Sequence, residues 1–393
     1  MEDAAPRHNS TILQRRTSGV SSSASMECSL LLLLLALLVV PGHGRAGRWS
    51  GGGGGCGVWG GAYRGTRQFS TSSSFNNLAG ATWLDRAVAR KRIEVENLLR
   101  RHQEPDDPLV MRMSYMASEC RYAVTNALKR NTTDKEQMHT MSVMVDLKRR
   151  SPTIPQRRNV VEFQSAAQFA ELLALANVDA LMINTDEQEY GGKLSDLKET
   201  TRALQRGGQL QLQQQQQQLA TTTLPPACIA KDIIIHPVQI ALALENGANG
   251  VLLNVGIVGA DLEVLLDACT IMGTEAVVEV HTPNELEFAL AKGATVFLAN
   301  MWDRSTGRLF KEQAKGLASM MPMNSVSIAC GDIGTLQEVV ELGFYGYDCV
   351  VLGRALADVP DIKDFIDGVH AFRGAPRNMG IGGGFGMKGN PFA

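Results

Sequence analysis

Short apolar runs alternate along this chain with longer segments in which apolar residues recur at helical spacing. Eight of the runs have five or six residues and are rich in β-branched side chains, which is typical of buried strands. In chain order they are VMVDLK, ALMIN, CIAKD, GVLLN, AVVEVH, TVFLAN, SVSIAC and CVVLG. We expect these strands to end near Lys148, Asn184, Lys231, Asn254, Glu279, Asn300, Ala329 and Gly353.

The spacing of these runs predicts the fold class. Successive ends lie roughly 20 to 50 residues apart, enough chain for one strand, one helix and their connections. Strands that alternate with helices imply a parallel sheet, and eight such units close naturally into a (β/α)8 barrel. An open doubly wound sheet is the alternative, but no Gly-rich dinucleotide loop follows the first run.

Helix boundaries are marked between the runs. Thr282-Pro283-Asn284-Glu285 has the pattern of a capping box, with proline at the first helical position. Glycines are expected where helices stop before the next strand, at Gly247, Gly293 and Gly343.

Three further segments define the domain organisation. Residues 82–101 carry apolar side chains on one helical face, so an extra N-terminal helix is predicted before the first strand. Residues 208–223 are rich in Gln and Thr and are expected to form a surface insertion between a helix and a strand. The Gly-rich residues 373–393 are predicted to be a disordered tail, which leaves residues 79–372 for the barrel.

The first 78 residues have the pattern of a targeting leader. Leu30–Val40 is an unbroken apolar run, too short for a membrane span of about 20 residues but typical of a secretory signal. From Pro41 to Asn77 the chain has four arginines, no acidic residue and many Gly and Ser, as organelle transit peptides do. This order favours import into a plastid, with secretion or mitochondrial import as alternatives. No stable membrane span is expected in the mature protein.

Composition narrows the class of partner. The chain has 38 basic and 40 acidic residues, a formal net charge of −2, which argues against a nucleic-acid binder. Its seven cysteines include no Cys-x-x-Cys pair, so a zinc ribbon and a thioredoxin motif are excluded. No spacing of His, Cys and carboxylates indicates a metal site. A small-molecule substrate is therefore expected, while the oligomeric state stays undetermined.

Polar residues at the predicted strand ends are the candidate active site, because such barrels bind substrates there. Asp146 and Lys148 lie two residues apart and therefore share one face of the first strand. The full set of candidates is Asp146, Lys148, Lys231, Glu279 and Asn300. Charges in one mouth predict an anionic substrate and acid–base chemistry, although simple pairing of the lysines with the carboxylates is the alternative.

Other polar residues are given lesser roles. His281 is interpreted as a helix-start or structural residue, and Cys330 is not expected to be a nucleophile because no histidine is placed to activate it. Barrels commonly bind phosphate in the loops after strands seven and eight. Those loops contain Gly331, Gly353 and Arg354, which are the candidate phosphate ligands.

Four ordered motifs resemble those of the indole-3-glycerol phosphate synthase family, over about Leu84 to Val369. The chain has DLKRRSPT at 146–153 where the family has EIKRASPS, and YGGKLSDL at 190–197 where it has FGGSLxDL. KDII at 231–234 resembles the family's KDFI, and VEVH at 278–281 is identical to the family motif. The resemblance implies a barrel whose mouth is covered by the extra helix.

The resemblance also implies an activity. Family members close the indole ring of 1-(2-carboxyphenylamino)-1-deoxyribulose 5-phosphate, with loss of carbon dioxide and water and without a cofactor. By resemblance, Lys231 is the general acid, Glu279 transfers protons during dehydration, Lys148 holds anionic groups of the substrate, and Asn300 orients the substrate. Ser151, in the first motif, joins the substrate- or phosphate-binding residues.

The chain departs from the family pattern at four places, one of which is Gly353-Arg354 after strand eight, where the family has Gly-Glu or Gly-Ser. Asp146 replaces a glutamate, and Asn300-Met301-Trp302-Asp303 lacks the arginine of Asn-Asn-Arg-Asp. Ala329-Cys330-Gly331-Asp332 replaces Glu-Ser-Gly-Ile, which assigns Ala329 to the position of a catalytic-site carboxylate. Two alternatives therefore stay open: a catalytically silent binding or regulatory paralogue, and a barrel enzyme that acts on another phosphorylated substrate.

Overall fold

The computed structural model describes residues 82–115, 117, 119–129, 139–152, 163–215, 225–304, 307–353, 356, 359 and 361–374. The predicted leader, Arg354 and nearly all of the predicted Gly-rich tail lie outside these residues. In the part of the chain that is described, no helix has the length and apolar character needed to cross a membrane.

The described residues contain eight strands, each parallel to its two neighbours, that close into a barrel in chain order. All eight predicted runs are strands, and each strand ends within one residue of its predicted position, so the barrel prediction is confirmed. The strands are β1 (Ser142–Leu147), β2 (Ala180–Asn184), β3 (Ala227–Lys231), β4 (Gly250–Asn254), β5 (Glu275–Val280), β6 (Val296–Asn300), β7 (Val326–Cys330) and β8 (Cys349–Leu352).

Helices precede and separate the strands. Within the described residues they are α1 (Trp83–Arg101), α2 (Pro108–Ser114), α3 (Ala123–Leu128), α4 (Ala166–Leu175), α5 (Leu194–Gln215), α6 (Pro237–Glu245), α7 (Val255–Val258), α8 (Leu262–Ile271), α9 (Pro283–Ala291), α10 (Lys311–Met320), α11 (Leu336–Phe344) and α12 (Ile362–His370), with a 3₁₀ turn at Gly259–Asp261. Helix α1 confirms the predicted extra N-terminal helix, within one residue of the expected bounds.

The helix boundaries follow the predicted signals with two exceptions. Thr282 caps α9 as expected, but the carboxylate of Glu285 accepts the N–H of His281 at 2.5 Å, so no reciprocal box forms on Thr282. Gly343 was expected after a helix and instead lies inside α11. Gly346, at φ +90°, takes the left-handed position after that helix, which a glycine adopts without strain.

The barrel interior is filled by alternate strand residues, and α3 closes its amino-terminal end. Val124 and Leu128 of α3 are fully buried in the cluster formed by the inward side chains of the strands. Glu275, at the start of β5, accepts the N–H of Val124 at 2.7 Å and thereby satisfies a free donor at the start of α3. The sequence gives no signal for α2 and α3, because helices this short have no clear periodic pattern.

The glutamine-rich stretch begins as a continuation of a helix. Helix α5 runs to Gln215, because Gln is a good helix former even without an apolar face to bury. Residues 216–224 lie outside the described residues. The surface insertion predicted for 208–223 is therefore helical in its first half, and for the remainder it stays a prediction.

Candidate active site

A cavity opens to solvent at the carboxyl ends of the strands. Seven of the nine sequence candidates line it directly, and the interior of the barrel closes it from below. Its lining consists of Asp146, Lys148, Ser151, Tyr190, Lys231, Asn300, Trp302, Arg304, Cys330, Gly331, Asp332, Ile333, Val351 and Gly353.

One carboxylate joins the two candidate lysines. Oδ2 of Asp146 accepts from Nζ of Lys148 at 2.7 Å and from Nζ of Lys231 at 2.8 Å. The side-chain amide of Asn184 donates to the other oxygen, Oδ1, at 2.8 Å. Burial alone would raise the pKa of Asp146, but the two ammonium groups outweigh burial and hold it well below its usual range. Asp146 is therefore a fixed anion that aligns two cations at the cavity wall.

Tyr190 connects the Asp146 cluster to the other side of the mouth. Nζ of Lys231 lies 5.7 Å from the centre of the Tyr190 ring, within range of a cation–π contact. The Tyr190 hydroxyl accepts a hydrogen bond from Nη1 of Arg304 at 2.6 Å. Burial raises the pKa of Tyr190, so the phenol stays protonated at neutral pH.

A second carboxylate, Glu279, lies just behind the cavity wall and is fully buried. Its Oε1 accepts from Nδ2 of Asn300 at 2.9 Å and from Nε of Arg304 at 2.5 Å, while Oε2 accepts from Nη2 of Arg304. Burial would raise the pKa of Glu279, but Arg304 and His281 together lower it well below its usual range. Glu279 reaches the cavity through Asn300 and Arg304, which both line it.

Arg304 is the functional residue that the sequence analysis missed. The family comparison expected the arginine after β6 to be lost, yet a guanidinium from two residues farther along fills the position beside Glu279. The loop after β6 folds back, with Trp302 bridged to Leu309, and this returns Arg304 to the mouth. The signal that could have identified Arg304 is its place in the same loop, two residues after the position of the family's arginine.

Helix α1 lies across the mouth and is held there by charge. Arg90 donates to Asp186 and to Glu189, each at 2.9 Å. Nζ of Lys91 lies 2.8 Å from Asp232 and 3.1 Å from Asp186. Because Asp186 and Asp232 lie within two residues of the ends of β2 and β3, α1 is tied to the strand ends that carry Asn184 and Lys231. Trp83 adds a hydrogen bond from Nε1 to the carbonyl of Arg304 at 3.0 Å.

The two longest family-like motifs, which begin at Asp146 and at Tyr190, contact each other. Arg149, directly after β1, donates to the carboxylate of Asp196 at 2.6 Å and 3.1 Å and to the carbonyl of Gly191 at 3.0 Å. The carbonyl of Tyr190 accepts the N–H of Arg149 and of Arg150. The loops after β1 and β2 therefore form one unit that fixes Lys148 and Tyr190.

Three of the candidate phosphate ligands, Ser151, Gly331 and Gly353, line the cavity together with Asp332. Gly331 has φ +136°, and a Cβ there would approach that of Met301 to 2.7 Å, so only glycine fits. Arg354, the remaining candidate, lies outside the described residues.

The alignment of the strand-seven motif needs a correction. Ala329 packs in the outer cluster between strands and helices, whereas Cys330 faces the cavity. Successive residues of a strand point to opposite faces, so a shift of one residue exchanges inside and outside. Cys330, not Ala329, is thus the residue that faces the mouth at this position. Burial raises the pKa of Cys330 to about 11, so it is a neutral thiol at physiological pH.

Comparisons with known proteins point to one family. The profile of indole-3-glycerol phosphate synthase matches residues 84–369. An indole-3-glycerol phosphate synthase from Opitutus terrae is 30% identical over 223 residues, which cover 56% of this chain and 77% of that protein. One from Roseiflexus castenholzii is 28% identical over 284 residues, 72% of this chain and 95% of that protein. With an eight-stranded barrel and charged strand ends of the expected kind, the chain belongs to the indole-3-glycerol phosphate synthase family.

Proposed function

We propose that this protein is a decarboxylating, ring-closing lyase of tryptophan biosynthesis, acting on 1-(2-carboxyphenylamino)-1-deoxyribulose 5-phosphate. One observation carries the proposal: two lysines held by one buried carboxylate share a cavity with the asparagine and arginine that contact a second buried carboxylate. A substrate with a carboxylate, a phosphate and a carbonyl needs cations, a proton donor and a proton acceptor within one pocket. No cofactor is required for this chemistry.

The Asp146 cluster supplies the cations and the acid. Lys231 donates a proton to the substrate carbonyl, and its bond to Asp146 orients the ammonium toward the cavity. Lys148 is more exposed than Lys231 and binds an anionic group of the substrate. Asp146 stays ionised throughout, because protonating it would leave two ammonium groups side by side without a counter-charge.

Glu279 is the proton acceptor of the second cluster, and Arg304 must move away from its carboxylate before it can accept a proton. Arg304 contacts both carboxylate oxygens of Glu279, so the base is covered when no substrate is present. An anionic substrate competes with Glu279 for the guanidinium, and the exchange frees one oxygen to accept a proton. Asn300 holds the other oxygen and orients both Glu279 and the substrate.

The phosphate is proposed to bind beside β7 and β8. Ser151, Gly331 and Gly353 all line the cavity, and glycines let backbone N–H groups approach an anion. Arg354, which follows Gly353 in the sequence, is proposed to add positive charge to this subsite.

Indole fluorescence measured with the purified full chain and the carboxyphenylamino substrate tests this function. The wild-type chain is expected to turn over. Lys231→Ala should lose turnover by about a hundredfold or more, the usual contribution of a general acid, while retaining substrate affinity. Lys292→Ala, which removes an exposed lysine paired with Glu263 outside the cavity, is the matched control. A wild-type chain that neither binds nor converts the substrate would contradict the proposal and favour another phosphorylated substrate.

A catalytically silent binding paralogue is the second candidate. It is favoured by the neutral Cys330 thiol, which faces the mouth where the family has a catalytic carboxylate. In the same assay, tight binding of the substrate by the wild-type chain without indole formation would support this candidate.

We propose import into a plastid, on the basis of the apolar run at 30–40 and the acid-free, Arg- and Ser-containing stretch at 41–77. Fusion of residues 1–78 to a fluorescent protein tests this localisation. Secretion or mitochondrial import of the fusion would contradict it.

A further inference from the structure

His281 lies between two carboxylates directly behind the cavity. It follows β5 and precedes the cap of α9, and its side chain is only 14% exposed. Its Nε2 lies 3.2 Å from Oε1 of Glu279, and its Nδ1 lies 3.3 Å from Oε2 of Glu285. Its backbone N–H also donates to Glu285 at 2.5 Å. A structural role at the start of a helix accounts for the backbone contact, but not for the ring's contact with Glu279.

The charges around His281 decide its protonation. Glu279 on β5 and Glu285 on α9 face the ring, and Arg304 approaches from the loop after β6. Burial and the Arg304 charge lower the pKa of His281, but the two carboxylates outweigh them and raise it to about 9. The ring is thus an imidazolium at neutral pH: its Nδ1 hydrogen-bonds to Glu285, and its Nε2 is at ion-pair distance from Glu279 without hydrogen-bond geometry.

The two cations beside Glu279 differ in how they are held. Arg304 is on a loop and lines the cavity, where it is open to exchange with an anionic substrate. His281 does not line the cavity and is fixed on its far side by Glu285, whose own N–H donates to Thr282 at 3.2 Å. When Arg304 moves to the substrate, His281 is the cation that remains beside Glu279.

We infer that His281 is a positioning residue: clamped by Glu285, it fixes the carboxylate of Glu279 and keeps it ionised after Arg304 has moved to the substrate. This inference rests on the proposed function. It assigns Glu285 a role as well, because without that carboxylate the ring loses its orientation and part of its charge. Neither residue touches the substrate.

The sign of the pH effect follows from the charges. Glu279 must be ionised to accept a proton, so turnover falls as the pH falls through its pKa. Removal of the imidazolium raises that pKa, because an opposite charge at contact distance normally lowers it by about one unit or more. The effect is larger on kcat than on kcat/KM, since kcat/KM reports the free enzyme, in which Arg304 still covers Glu279.

Three variants of the full chain test this inference: His281→Gln, Glu285→Gln and the control His236→Gln. His236 also stands at a helix start, where its Nδ1 accepts the N–H of Val238, but it does not line the cavity. We would measure kcat and KM for indole formation between about pH 3.5 and pH 9, a range that reaches below the ordinary pKa of a glutamate, together with unfolding midpoints.

His281→Gln is expected to move the acid limb of the kcat profile up by about one unit, because the pKa of Glu279 rises. It should also lower kcat about tenfold at pH 7, because the carboxylate is no longer held in position, with KM nearly unchanged. Glu285→Gln should shift the limb in the same direction by less, and His236→Gln should leave it in place. An acid limb that stays put in His281→Gln, or that moves equally in His236→Gln, overturns the inference alone. A wild-type chain without turnover overturns the proposed function and this inference with it.

Discussion

The two buried carboxylates of the mouth are built in opposite ways. Asp146 holds its two lysines on the cavity side, so the cations face the substrate and the carboxylate supports them. Glu279 is itself the group that must meet the substrate, yet it is covered by Arg304 and backed by His281. The first cluster is therefore ready to bind an anion, whereas the second becomes reactive only after an anion has arrived. The guanidinium of Arg304 therefore links the binding of the substrate to the activation of Glu279 as the base.

The largest expected effect comes from breaking the Asp146 cluster. Asp146→Asn leaves two ammonium groups together without a counter-charge, which typically costs about 3–5 kcal/mol of unfolding free energy, and it should abolish turnover. Because the folded pKa of Asp146 lies below its ordinary 3.8, its contribution is fully present above that pH and is lost as the pH falls further. Urea unfolding at pH 7 and pH 3 should therefore show a difference between variant and wild type that shrinks in acid.

Asp146→Glu is the matched control, because it keeps the charge and restores the family's residue. We expect it to retain most of the stability and turnover. If Asp146→Asn were as stable as Asp146→Glu at pH 7, the lysines would not depend on this carboxylate, and the contrast between the two clusters would fail.

The next largest effect is expected when the contacts of Arg304 with Glu279 are removed by substitution. Arg304→Gln removes both the cover on Glu279 and the cation that the substrate recruits. KM should rise about tenfold to a hundredfold, the equivalent of one charge-assisted contact, while kcat changes only a few-fold. Arg112→Gln, which breaks an ion pair with Glu245 outside the cavity, is the control. An unchanged KM in Arg304→Gln would show that the guanidinium does not meet the substrate.

A smaller effect is expected from loosening the helix above both clusters. Lys91→Met keeps the length of the side chain but removes its contacts with Asp186 and Asp232, at a cost of about 1–3 kcal/mol in helix docking. Arg90 still holds Asp186, so the barrel should stay folded. Amide hydrogen exchange over residues 83–101 should become faster while exchange in the strands is unchanged. Uniformly faster exchange would mean that Lys91 stabilises the whole barrel instead.

The smallest effect is expected at Cys330. Its thiol is neutral at physiological pH and faces the cavity without a histidine to activate it, so Cys330→Ala should change kcat by about twofold or less. A tenfold loss measured in the indole assay would assign the thiol a catalytic part that its protonation state does not provide.

The sequence predicted the barrel well because its strands are buried on both faces and appear as unbroken apolar runs. The polar residues that end those runs, such as Lys231 and Asn300, could be assigned to one mouth by topology alone. Arg304 could not, since the fold of a loop decides which of its residues returns to the site. Ala329 was assigned wrongly because a register error of one residue moves a side chain to the other face of a strand.

Helix α3 was missed for a different reason. Its six residues are too few for periodicity, and only the burial of Val124 and Leu128 inside the barrel shows why it forms. The two-residue spacing of Glu279 and His281 indicates that their side chains share one face of the strand. The contact of the ring with Glu285 of α9 becomes evident only in the folded chain.

The role of Glu279 as the base is tested most directly by comparing Glu279→Gln with wild type in substrate binding and in indole formation. We expect affinity within about threefold of wild type, since Lys148 of the other cluster binds the anionic group, and turnover lower by about a hundredfold or more, since the base is gone. Turnover in Glu279→Gln close to that of the wild-type chain would contradict this role.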